Sequence, residues 1–170
     1  QPKIVNWLDF EKCVYILLIM NYPKAPDPSD VSSAVCVASN LRRISRMVTQ
    51  AYEEALRPSG ITISQFSTLG TLFHMGTQPI HLLAEALELD RTTLARNLKP
   101  LERKGYVAIE PDERDRRIRA VQLTEEGIAV LEKATPMWIA AQSHFVAGLG
   151  KMQHQTLMDT IANLQTLADE

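Results

Sequence analysis

The chain has little cysteine, few aromatic residues and no long apolar run, and each shortage removes a class of protein. Its two cysteines, Cys13 and Cys36, lie near the N-terminal end. Neither has a CxxC partner or a zinc-like spacing to histidine, so neither a disulfide scaffold nor a zinc module organises the fold. A reducing, cytoplasmic setting is the expectation. The densest apolar stretch, Cys13-Val-Tyr-Ile-Leu-Leu-Ile-Met20, falls far short of the roughly 20 residues that a membrane-spanning helix needs. Asp9, Glu11 and Lys12 precede it and no small-residue cleavage site follows before Pro23, which argues against a secretory signal. No membrane partner is expected. Catalytic signatures are missing too: there is no Gly-rich phosphate loop and no nucleophile elbow. His74, His81, His144 and His154 fall on different predicted elements without H-E-x-x-H spacing, so no metal, cofactor or enzymatic activity is expected.

What is present is an ordinary globular composition, 45% hydrophobic and 22% charged over 170 residues, enough for one core. Residues 1–30 are set apart as an N-terminal extension and linker, because Tyr22-Pro-Lys-Ala-Pro-Asp-Pro-Ser-Asp30 reads as stiff extended chain. From about Val35 the apolar residues Ala38, Leu41, Ile44, Val48, Ala51, Ala55 and Leu56 recur at helical spacing, and Pro58-Ser-Gly60 ends that helix. Thr62-Ile-Ser-Gln65 has the form of a capping box and predicts a helix over 64–75. Pro79 suits the first turn of a short third helix. Asp90 suits the N-cap of a fourth, Arg91 to about Lys104, with Leu94, Leu98 and Leu101 inward and Gly105 as its stop. Pro100 should bend its last turns.

Beyond Gly105 the apolar period changes from helical to alternating. Val107 and Ile109, then Ile118, Val121 and Leu123, predict a two-stranded ribbon around the charged tip Pro111-Asp-Glu-Arg-Asp-Arg-Arg117. Thr124 should cap a long helix kinked at Pro136 and broken by Gly148 and Gly150, and a last helix carries Leu157, Met158, Ile161, Leu164 and Leu167. The fold class is therefore mainly α with a small β-hairpin. Three helices followed by a basic-tipped hairpin is the order of a winged helix-turn-helix. Residues 61–124 form that module, and residues 31–60 with 125–170 supply helices that pair two copies into a homodimer.

Charge is distributed to match. The chain as a whole carries a net −2, yet between Arg91 and Arg119 nine basic residues face five acidic ones. Such a polarised molecule attracts phosphate through one face while its total charge stays near zero. Arg91, Thr92, Thr93, Arg96 and Asn97 present groups that pair with base edges or phosphates, and Lys99 and Arg103 extend the same helix. At the hairpin tip Arg114, Arg116 and Arg117 crowd together, suited to a narrow minor groove, with Asp115 expected to hold one of them in a fixed pose.

Three further signals are weaker. Tyr52, Trp138 and Phe145 are either core aromatics or the lining of a cavity for a small effector. Cys36 opens the first helix, where it is either a small apolar residue buried at the dimer base or an oxidisable thiol, giving a cysteine-based redox-sensing regulator as one alternative. A winged-helix protein-interaction module without DNA binding is the other.

Leu87-Glu-Leu-Asp-Arg-Thr-Thr-Leu94, Leu101-Glu-Arg-Lys-Gly-Tyr-Val107, Asp115-Arg-Arg117 and Leu123-Thr-Glu-Glu-Gly127 together resemble the multiple antibiotic resistance regulator (MarR) family, over a stretch from about Val35 to the C-terminal end. The resemblance implies a dimeric transcription regulator, an effector-responsive repressor that binds double-stranded DNA at an inverted-repeat operator. It implies that Asp115 and Arg117 form the wing's Asp-x-Arg motif and that Arg91 to Lys99 read DNA. It also implies release by a small molecule or an oxidant. Glu88 departs from the pattern, standing where the family often has glycine, and a positive φ there would strain it.

Overall fold

The computed structural model describes residues 36–112 and 115–169; the apolar run Cys13–Met20, the linker over 22–30 and Arg114 lie outside the described residues. The chain divides into two units, Gln1–Val48 and Thr49–Glu170. In the first, the described residues form most of α1 (Val37–Leu56), which runs on into the second unit. Cys36 caps it, its carbonyl accepting from the Asn40 amide at 3.1 Å. Leu41 and Ile44, on the apolar face that the spacing predicts, are exposed in the single chain.

The second unit is built around leucine. A 3-10 turn (Arg57–Ser59) leads through Gly60, at φ +80°, to α2 (Ile63–Met75). The expected capping box is in place: the Thr62 hydroxyl accepts from the Gln65 amide at 3.2 Å, and the Gln65 side chain accepts from the Thr62 amide at 3.1 Å. Then come β1 (Gln78–Pro79), α3 (Ile80–Ala86), α4 (Arg91–Arg103), β2 (Val107–Pro111), β3 (Arg119–Leu123), α5 (Glu125–Leu149) and α6 (Lys151–Asp169). Leu56, Leu69, Leu72, Leu83, Leu94, Leu98, Leu101 and Val121 are almost wholly buried together, so α2, α3, α4 and the sheet share one core.

Several local expectations need correction. Pro79 does not lie inside α3; it belongs to a two-residue edge strand, where a missing N–H costs no ladder bond. The sheet accordingly has three strands in the order β1-β3-β2, with Gln78 opposite Val121 and Val107 opposite Leu123. Ile118 precedes β3 rather than joining it, and Ala120 and Val121 are the buried pair. Gly148 stays helical, and α5 ends only at Gly150, which takes φ +75°. Both α4 and α5 continue past their internal prolines, Pro100 and Pro136.

Candidate nucleic-acid interface

Two features fix α4 in place. Its N-terminal amides are capped by Asp90, whose Oδ1 accepts from the Thr92 and Thr93 amides at 2.9 Å each. The Thr93 hydroxyl also donates to Asp90 Oδ2 at 2.6 Å, which commits that proton to the cap rather than to DNA. This bond, with the Thr93 and Thr92 amides and the Arg96 charge adding to it, holds the Asp90 carboxyl below the usual carboxylate range. At the other end Lys104 donates from Nζ to the Gly60 carbonyl at 2.7 Å and lies 5.8 Å over the Tyr106 ring. Lys104 is thus a strut, although sequence alone counts it with the basic patch.

With Leu94, Leu98 and Leu101 buried on one face, Arg91, Thr92, Arg96, Lys99 and Arg103 are exposed, and Thr93 and Asn97 are half-buried. The turn that aims α4 contains Glu88 at φ +52°, the one non-glycine residue of positive φ among the described residues. A side chain there costs about 1 kcal/mol of backbone strain, which packing of Leu87 and Leu89 against the core holds in place. Gln165 of α6 donates to the Glu88 carboxylate at 3.3 Å.

The hairpin positions the second basic group. Arg116 and Arg117 are exposed in the tip. Asp115 acts differently from expectation: its Oδ1 accepts from the Arg117 amide at 3.0 Å, and its carbonyl accepts from the Ile118 amide at 2.9 Å. It shapes the turn backbone, and no ion pair to a guanidinium is seen for it among the described residues. The hairpin is tied toward its tip by Arg119 Nη2 donating to the Ile109 carbonyl at 2.7 Å, and at its root by the Thr124 hydroxyl donating to the Gly105 carbonyl at 2.7 Å.

The aromatic candidates pack as rings. Tyr52 stacks on Phe145 at 5.5 Å and its hydroxyl donates to Gln142, while Trp138 stacks on Phe66 at 5.6 Å. Partial burial raises the Tyr52 phenol. They join α1 and α2 to α5, the role of core aromatics. Cys36 is exposed in the single chain. The Ser39 hydroxyl, then the Ser39 amide, hold its thiol below the ordinary range. Sequence reasoning gives no DNA-site role to His81, at the start of α3, or to Arg119, which opens β3 beside the tip and counts there only toward the local charge; both are exposed beside Arg91. Their nearness depends on β1 pairing with β3, which a two-residue strand does not announce.

A helix-turn-helix with an exposed basic second helix and an antiparallel wing that exposes Arg116 and Arg117 at its charged tip defines the class of winged helix-turn-helix DNA-binding transcription regulators. Residues 61–118 match the MarR family model. An organic hydroperoxide resistance transcriptional regulator of Bacillus subtilis is 30% identical over 125 residues, 74% of this chain and 82% of that protein. The Mycobacterium tuberculosis transcriptional regulator MosR, crystallised in complex with DNA, is 37% identical, with 79% of this chain and 96% of that chain covered and a TM-score of 0.71. The PcaV regulator of Streptomyces coelicolor, 22% identical over 81% of this chain and 97% of that one, shares the fold with a TM-score of 0.74. The chain belongs to the MarR family.

Proposed function

We propose that the protein is a homodimeric, effector-responsive repressor that grips an inverted-repeat operator and catalyses no reaction. Residues 61–124 serve as the DNA module, with residues 31–60 and 125–170 as the dimerisation region. The observation that carries this reading is the exposure of Arg91, Arg96, Lys99 and Arg103 opposite the buried leucines of α4, together with exposed Arg116 and Arg117 at the wing tip. Arg96 and Asn97, with Thr92, face base edges in the major groove, Thr93 holds the cap beneath them, and Lys99, Arg103 and the wing residues Arg114, Arg116 and Arg117 meet the backbone or minor groove. Asp115 acts through the shape of the tip. Pairing of two chains sets the second reading helix one helical turn away, about 34 Å along the duplex. Selection of bound fragments from the source genome tests this: recovery of an inverted repeat bound by two chains supports it, and recovery of fragments sharing no sequence feature contradicts it.

A second reading concerns the trigger, and the exposed, acidified thiol of Cys36 favours it. Its thiolate sulfur attacks one oxygen of an organic hydroperoxide, the O–O bond breaks, the alcohol leaves after taking a proton, and Cys36 becomes a sulfenic acid. The Bacillus relative, named for organic hydroperoxide resistance, supports that class of oxidant. Under this reading Cys36→Ser stays on operator DNA in the presence of cumene hydroperoxide while the parent releases it; equal release by both discards it.

A further inference from the structure

A recess of about 230 Å³ lies where α3, α4 and β3 begin, lined by Ile80, His81, Arg91, Ile118 and Arg119. The polar side chains that line it are two guanidinium groups and an imidazole. Among the described residues no carboxylate lines it. A neighbouring recess of about 680 Å³ shares His81 and Ile118 but is lined by Glu110, Asp112 and Asp115, so the sign of the surface reverses across that divide. The small recess is below the roughly 300–1,000 Å³ of drug-sized ligand sites, and suits one compact anion.

The fold assembles it from distant sequence. Pairing of Pro79 with Ala120 sets the first residues of α3 beside Arg119. One Arg119 Nη2 hydrogen goes to the Ile109 carbonyl, which fixes the guanidinium and leaves its other donors for a ligand. Ile80 and Ile118, both half-buried, complete the lining.

We infer that this recess seats a single DNA phosphodiester, held by Arg91, Arg119 and His81, so that these three residues set the register of α4 without reading sequence. The inference rests on the DNA-binding reading above. In a helix-turn-helix the first helix crosses the backbone as the second enters the major groove. The recess lies at the start of both helices and at the tip-side end of β3. A phosphate contact carries position rather than sequence, which moves Arg91 from base reader to backbone clamp.

Operator duplexes carrying one methylphosphonate, moved phosphate by phosphate, test the assignment against the parent, Arg119→Gln and His81→Ala. Both variants should weaken operator and unrelated duplexes by the same factor, about tenfold, and Arg119→Gln should reduce the salt slope by about 1. At one phosphate, neutralisation should cost the parent about tenfold and cost Arg119→Gln nothing more. His81→Ala reads the same phosphate should Arg119→Gln loosen the hairpin, and circular dichroism checks both folds. Unchanged affinities, or penalties that simply add at every phosphate, overturn the seat, while a loss of discrimination in Arg96→Ala leaves the DNA reading standing. A parent that binds no duplex ends both. Thermal stabilisation by millimolar inorganic phosphate alone, lost in Arg119→Gln, reassigns the recess to a free anion and overturns the DNA assignment.

Discussion

Single residues separate reading DNA from holding it. Replacing Arg96 by Ala removes a guanidinium from the exposed face of α4. It should lower discrimination between the operator and its point variants by about 1–3 kcal/mol, measured by competition binding. Arg117→Ala should instead weaken every duplex alike and lower the salt slope by about 1. Asp90 tests the scaffold beneath them. Its folded pKa lies below the ordinary 3.8, chiefly through the Thr93 hydroxyl. The cap therefore stabilises α4 fully above the unfolded value, and this stability is lost as pH falls through the folded value. Thermal melts should show Asp90→Ala less stable than the parent at neutral pH, with the gap closing as pH drops below 3.8. Asp90→Asn keeps an acceptor for the cap amides and should lose the pH dependence.

Elements whose ends are written in side chains were legible before any coordinates. Thr62 with Gln65, Asp90 and Thr124 each cap the helix that the residue pattern assigns to them. The three-stranded sheet was not legible, because a strand of two residues has no period and Pro79 fits a helix start equally well. The same strand assembles the His81–Arg91–Arg119 recess, so the part of the site that sequence missed follows from the element it missed. Gly148 reads as a breaker, yet a glycine inside a helix costs only about 1 kcal/mol, and α5 carries it. The α5 start depends on a different glycine. A Cβ on Gly127 would stand 2.1 Å from the Tyr106 carbonyl oxygen and 2.7 Å from Leu123 Cδ1. Gly127→Ala should accordingly push the wing root from α5 and destabilise the fold by about 1–3 kcal/mol, read by urea denaturation.

The surplus apolar surface makes a claim about the whole molecule. On α6, Leu157, Met158 and Ile161 share a face and are each about two-fifths exposed, with Met152 at 74%. On α5, Ile139 is half exposed. Exposed apolar side chains gathered on one helix face suit a contact with another chain, which the proposed homodimer supplies. Ile161→Glu should give monomers in analytical ultracentrifugation, and its operator affinity should fall toward the nonspecific level, a loss on the order of 10³ or more.

The central claim, that α4 and the wing of a paired molecule clamp B-form DNA through their basic side chains, is measured most directly by titrating operator binding across salt concentration. A logarithmic plot should be linear and steep, losing about 0.9 in slope for each phosphate neutralised, with the slope reduced in Arg117→Ala. Binding that ignores salt, or a slope that Arg117→Ala leaves untouched, would contradict it.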